Sequence, residues 1–125
     1  MNFEEFAAKP LLAVAGISVP KSQLATTPDQ ARDAAKTIGG VVIKAQVPVG
    51  KRGKAGGIQI AGSPDEAHMH ATNIIGMEIS GLTVEKVLVE AKSNIAFEYY
   101  AAILNDPDSK GPMLMFSTEG GMDIE

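Results

Sequence analysis

The sequence predicts an α+β fold, with helices and strands alternating along 125 residues. Three observations predict it. Two helix starts are written almost identically, Thr27-Pro28-Asp29-Gln30 and Ser63-Pro64-Asp65-Glu66. In each, a hydroxyl caps free backbone N–H groups, proline takes the first helical position, and Gln or Glu completes a capping box. Around these helices lie Val- and Ile-rich runs, Val41–Val47, Ile58–Ile60 and Val84–Ala91, of the β-branched type that suits strands. Glycines and one dense turn signal separate the runs.

In chain order, Asn2–Val14 reads as a helix. Phe3, Phe6, Ala7, Leu11 and Val14 form its apolar face. Pro10 inside it predicts a kink or a restart, because proline removes a hydrogen bond and crowds the preceding turn. Gly16 ends the helix, and Ile17–Leu24 reads as a connection with extended backbone around Pro20. The helix opened by Thr27 buries Ala31, Ala34, Ala35 and Ile38 and stops at Gly39-Gly40. The strand Val41–Val47 follows at once. The helix opened by Ser63 runs to about Ile75 and stops at Gly76. Val84–Ala91 is a strand with Val87 and Val89 on one face and Lys86, Leu88 and Glu90 on the other. Ile95–Leu104 and Pro112–Ser117 form a hairpin across the turn Asn105–Gly111. The last residues, Gly120-Gly121-Met122-Asp123-Ile124-Glu125, read as a turn into another element, so the chain is expected to be a piece of a longer one.

Chemistry concentrates in Val41–Ile60: strand, glycine-rich basic loop, strand. The loop Pro48–Gly57 has glycine at 50, 53, 56 and 57 and positive charge at 51, 52 and 54. Glycines let backbone N–H groups close around an anion, and cations neutralise it. Lys44 lies inside the preceding strand, where an ammonium needs a partner. The loop is no Walker A motif, since Ala55 follows Gly53-Lys54 where Ser or Thr is required. It also lacks the Rossmann spacing.

The net charge of −4 conceals this asymmetry. Four of eleven basic residues lie between Lys44 and Lys54, a stretch without Asp or Glu. A nucleic-acid domain spreads positive charge over a face. One basic loop on an acidic body suits a compact anion better, and the four glycines and flanking strands favour a ligand loop over a merely solvated one. There is no cysteine, which excludes disulfides, thiolate metal sites and cysteine catalysis. Aromatics make up 5% without tryptophan, so the core is aliphatic. The acidic start has no signal-peptide character, and no apolar run reaches membrane-span length. His68 and His70 are two residues apart on different helical faces, and read as surface or half-buried histidines.

Lys44-x-Gln46-Val47 followed by Gly50-x-Arg52-Gly53-Lys54-Ala55-Gly56-Gly57 resembles the nucleotide-binding stretch of succinyl-CoA synthetase (ADP-forming succinate–CoA ligase) β subunits, of the ATP-grasp superfamily. Asn2-Phe3-x-x-Phe6-x-Ala8-Lys9-x-Leu11, Val89-Glu90-Ala91, Glu98-x-Tyr100 and Ser117-Thr118-Glu119-Gly120-Gly121 extend the resemblance along the chain. Pro48-Val49 and Lys51 depart from it, standing where that family carries a histidine, an alanine and a small residue.

The resemblance implies an ATP-grasp fold in which two subdomains clamp a nucleotide. Residues 21–92 would form the small lid, and 1–20 and 93–125 parts of the larger subdomain. It implies the reaction ATP + carboxylate + CoA ⇌ ADP + phosphate + acyl-CoA, through a phosphohistidine on a partner α subunit, so neither His68 nor His70 is that histidine. Lys44 would contact phosphates, Lys51, Arg52 and Gly53 would form the nucleotide loop, and Glu90, Ser93 and Glu98 would approach adenine and ribose. No catalytic residue and no metal ligand falls in this stretch; the Mg2+ ligands and the CoA-ligase domain belong downstream, so this stretch alone is expected to be inactive. The implied nucleotide is ATP, the implied partners are the α subunit, CoA and a dicarboxylate, and neither nucleic acid nor membrane is expected. The implied location is cytoplasmic, or the mitochondrial matrix in a eukaryote. Malate–CoA ligase and citryl-CoA synthetase share this region and are the alternatives, with a non-catalytic anion- or partner-binding module beside them. A severed hairpin edge would also allow a non-native dimer.

Overall fold

The computed structural model describes residues 3–121. The expectations for Asn2 and for Met122–Glu125 lie outside them. The chain divides into two compact units, one ending at Ser93 and the other starting at Asn94.

The first unit holds a four-stranded sheet in the order β1-β6-β2-β3, formed by β1 (Ser22–Ala25), β2 (Val41–Ala45), β3 (Ile58–Ala61) and β6 (Val87–Ala91). Every neighbouring pair is antiparallel. Strands β1 and β2 therefore run the same way on either side of β6, and β3 and β6 run the same way on either side of β2. Helix α2 (Pro28–Ile38) links the first pair, and α3 (Pro64–Ile74) lies between β3 and β6 in the chain. The two units of strand, helix and strand interlock, each bracketing a strand of the other.

The local sequence explains the likeness of the two helices. Thr27 accepts a hydrogen bond from the Gln30 N–H at 3.3 Å, and Ser63 accepts one from the Glu66 N–H at 3.2 Å. The reciprocal arm of each capping box reaches one residue further back than expected. Gln30 accepts from the Thr26 N–H and Glu66 from the Gly62 N–H. The helices also exchange polar contacts symmetrically. Arg32 of α2 meets Asp65 at the start of α3, and His68 of α3 meets Asp29 at the start of α2, both at 3.3 Å.

The core lies between these helices and one face of the sheet. It is built from Ala31, Ala34, Ala35, Ala67, Ala71 and Ile74 against Val41, Ile43, Ala45, Val87 and Val89. Alanine dominates the helical side, so the helices approach each other and the sheet closely. A small arm, β4 (Glu78–Ile79) and β5 (Leu82–Thr83), turns at Ser80-Gly81 with both residues at positive φ, the geometry of a tight hairpin turn. Ile79 and Val84 bring this arm into the core.

Several expectations need correction. The segment 17–24, expected as a connection, contains the start of β1; Ser-Gln-Leu-Ala has little strand character of its own and is made a strand by pairing with β6. Helix α1 (Glu5–Val14) runs unbroken through Pro10, which is exposed, so solvent can satisfy the carbonyl that loses its partner. Its expected apolar face is not its buried side. Leu11 and Val14 are 60% and 90% exposed, and the buried residue of α1 is Lys9. Strand β2 ends at Ala45 rather than Val47, although the Gln46 N–H still donates to the Lys86 carbonyl at 3.0 Å in the register of the β2–β6 pair. Strand β6 begins at Val87, since Val84 pairs with Met77 and Gly76 instead.

In the second unit, β7 (Tyr100–Asp106) and β8 (Gly111–Ser117) form the expected hairpin, starting later than Ile95. Asp106 fixes its turn by accepting from the N–H groups of Asp108 and Ser109 at 3.2 and 3.3 Å. The Ser109 hydroxyl and these amides hold its carboxyl below the ordinary range. Tyr99 stacks on Phe116 with ring centroids 5.8 Å apart. The chain after β8 folds back on the hairpin's start, where the Gly120 N–H donates to the Glu98 carbonyl at 3.1 Å. A Cβ on Gly120 would lie 2.7 Å from the Glu98 carbonyl carbon, so glycine is required there.

The alanine interface gives a first prediction. Ala71→Leu adds volume where Ala71 is fully buried. A loss of about 1–3 kcal/mol is expected in denaturant unfolding, since overpacking forces side chains off their rotamers.

Candidate functional site

The face of the sheet opposite the core is charged. On β2 and β6 the side chains alternate, so Val41, Ile43, Ala45, Val87 and Val89 enter the core while Lys44, Leu88 and Glu90 point to the other side. Helix α1 docks there by its polar side.

Lys44 Nζ donates to Glu90 Oε1 at 2.7 Å and to Glu5 Oε1 at 2.8 Å. Lys9 Nζ donates to the other oxygen of Glu90. Arg52 reaches in from the glycine-rich loop. One of its nitrogens donates to Glu5 Oε2 at 2.9 Å and another to the Ala45 carbonyl at 2.8 Å. Three cations and two carboxylates thus form one chain, Lys9–Glu90–Lys44–Glu5–Arg52. Gln46 closes its flank: its Oε1 accepts from the Phe6 N–H at 2.9 Å, and its Nε2 donates to the Lys44 and Ala45 carbonyls. Lys86 lies 5.3 Å from the centre of the Phe6 ring and 2.9 Å from Glu4, adding a further tie to α1.

The electrostatics follow from this geometry. Burial alone would push the Glu5 carboxyl up, but the Lys44 hydrogen bond and charge, then Arg52, hold it below its ordinary 4.5. Burial alone would pull the Lys44 ammonium down, but hydrogen bonds to Glu5 and Glu90 and their charges hold it above 10.5.

The loop is compact because its own backbone closes it. The Ala55 N–H donates to Lys51, the Gly56 N–H to Gly53, and the Gly57 N–H to Arg52, all to carbonyls within 3.1 Å. Gly57 must lack a side chain. A Cβ there would sit 2.7 Å from Ile79 Cδ1, 3.0 Å from Ala45 Cβ and 3.2 Å from the Arg52 carbonyl oxygen. Lys51, an exposed residue, takes the left-handed region at φ 61°.

Of the residues singled out from sequence, the structure brings together Lys44, Arg52 and Glu90, with Gly53 and Lys51 in the same loop turn. Ser93 is exposed two residues beyond β6 in the first unit, and Glu98 is exposed in the second. Glu5 and Lys9 were missed as members of the cluster. Their signal was present: two opposite charges one helical turn apart, among the apolar residues of α1. His68 and His70 are half-buried on α3. Among the described residues no three His, Asp or Glu side chains gather as a metal site. A cavity of about 450 Å3 adjoins the cluster, lined by Phe6, Lys9, Pro10, Val19, Pro20 and Leu88 among others.

The ATP-grasp domain family matches residues 2–125. The chain belongs to this family. The family accounts for a four-stranded antiparallel sheet with α2 and α3 packed on one face, and solved structures agree. An acetyl-CoA synthetase of Ca. Korarchaeum cryptofilum, solved with coenzyme A and Ca-AMPCP, superposes with a TM-score of 0.80 at 25% identity, over 93% of this chain and 53% of that one. Among curated relatives, the ADP-forming succinate–CoA ligase β subunit of Gemmatimonas aurantiaca is 50% identical over 126 residues. The GDP-forming β subunit of Thermus thermophilus is 52% identical over 126 residues. Both matches cover 100% of this chain and 33% of the relative, so the ATP-grasp chain spans about a third of their length.

Two predictions follow from the charged cluster. Glu90→Ala leaves Lys9 and Lys44 without their shared carboxylate, and breaking such a buried pair costs roughly 3–5 kcal/mol in equilibrium unfolding. Titration separates the two ends of the cluster. The stability due to Glu5 is fully present above 4.5 and lost as pH falls through its lower folded value. That due to Lys44 is fully present below 10.5 and lost as pH rises through its higher folded value. Unfolding midpoints measured against pH should therefore fall in acid, and Glu5→Gln should flatten that acid limb.

Proposed function

We propose that this chain is a nucleotide-binding part of a succinate–CoA ligase β subunit, acting on ATP. The observation that carries the reading is the convergence of Lys44, Arg52 and Glu90 on the charged face of the sheet, at the mouth of a backbone-closed glycine loop. Two cations held at fixed positions suit phosphate groups, because preset charge spares reorganisation when the anion arrives. The adjoining cavity, walled by Phe6, Val19, Pro20 and Leu88, suits a planar base.

In this reading Lys44 and the Lys51-Arg52-Gly53 turn hold phosphates, while Glu90, Ser93 and Glu98 serve the sugar and base. Residues 21–92 are the lid of the ATP-grasp domain, and 1–20 and 93–125 belong to the larger subdomain. The whole enzyme joins succinate to CoA at the expense of ATP, through a phosphohistidine on an α subunit. The Mg2+ ligands and the CoA site belong to the part of the relatives' length that this chain does not span. The setting is the cytoplasm or the mitochondrial matrix. Support for ATP-dependent ligase chemistry comes from relatives that are about half identical over the entire chain. One of these is ADP-forming and one GDP-forming, so ATP and GTP should be tested side by side.

Hydrogen exchange and calorimetry test the proposal. Added ATP should slow amide exchange across 48–57, and Lys44→Met should weaken ATP binding at least tenfold. If exchange in 48–57 and the affinity of the Lys44 variant are both unchanged, the nucleotide assignment is wrong.

A further inference from the structure

Glu5 occupies the position that an anionic ligand needs. One oxygen of its carboxylate takes Lys44 at 2.8 Å and the other takes Arg52 at 2.9 Å. These are the two cations assigned to phosphate above, so this inference rests on that assignment. A carboxylate bridging two cations on a helix docked by its polar side is an internal anion. A phosphate approaching the same nitrogens meets charge already neutralised, and a negative group a hydrogen bond away from its seat.

We infer that Glu5 is an internal stand-in for phosphate, and that a phosphate-bearing ligand displaces it from Lys44 and Arg52. The rest of the α1 contact fits a replaceable arrangement. Helix α1 exposes Leu11 and Val14 and is tied to the sheet face by Lys9–Glu90, by the Phe6 N–H on Gln46 and by Lys86 on Glu4. These contacts are polar, so a group that gives one up can be satisfied again by water or by the ligand. When Glu5 leaves, Lys44 keeps Glu90 and Arg52 keeps the Ala45 carbonyl. Both cations therefore stay placed for the incoming anion.

The test measures binding of ATP, of inorganic tripolyphosphate and of adenosine to the full chain, as wild type, Glu5→Gln and Lys44→Met. Glu5→Gln should tighten ATP and tripolyphosphate about three- to tenfold and leave adenosine unchanged. A second measurement needs no variant: ATP should speed amide exchange at Phe6–Lys9 of the wild type while slowing it in the loop 48–57. If Lys44→Met abolishes ATP binding but Glu5→Gln leaves it equal or weaker, Glu5 is not a competitor and this inference falls alone. Protection of Phe6–Lys9 by ATP would overturn it as well. If Lys44→Met changes nothing, the nucleotide assignment fails and takes this inference with it.

Discussion

The buried pairing of Glu90 with Lys44 and Lys9 is the constraint on which the first unit depends. Strand β6 fills the middle of the sheet, so whatever its outward side chain requires must be supplied from above. Glu90 is nearly enclosed, and a carboxylate withdrawn from water needs cations at hydrogen-bond distance. One comes from the neighbouring strand and the other from α1. That demand decides which side of α1 faces inward. It also explains why Lys44 interrupts a β-branched strand, and it carries the network outward through Glu5 to Arg52 and the glycine loop.

The two faces of the sheet thus obey different physics. Between the sheet and helices α2 and α3, methyl groups and branched side chains pack at close range and water is excluded. That face is stiff and non-directional. On the other face, contacts are few, directional and ionic. A closely packed support below a polar surface is a sound basis for binding, because Lys44 and Glu90 are carried by strands anchored in the core while Arg52 reaches them from the loop.

Helices α2 and α3 were legible because their starts are local: Thr27 and Ser63 cap amides three residues away, and the signal needs no distant partner. The pairing of Val87 and Val89 with the core was legible from alternation alone. Lys44 stood out as an ammonium inside a strand, but its partners did not, since Glu5 lies far away in sequence and no short-range rule links them. Strand β1 was illegible for the same reason, being defined by β6 rather than by Ser22–Ala25. The burial of α1 was misread because helical periodicity assumes an apolar partner, and here the partner surface is charged. The Ser80-Gly81 turn was missed because only glycine advertises positive φ, and Ser80 shares it.

The place of β6 in the sheet governs the order in which the chain matures. Strands β1 and β2 run parallel on either side of β6, and neither pairs with the other without residues 87–91. A ribosome releasing this chain N-terminus first delivers α2, β2, β3 and α3 before the strand that joins them. Until residues 87–91 are made, the β2–β3 pair and the two alanine-faced helices lack the strand that joins β1 to β2. Such dependence on distant pairing slows folding and makes it cooperative, since β1 has no strand to pair with until β6 is in place.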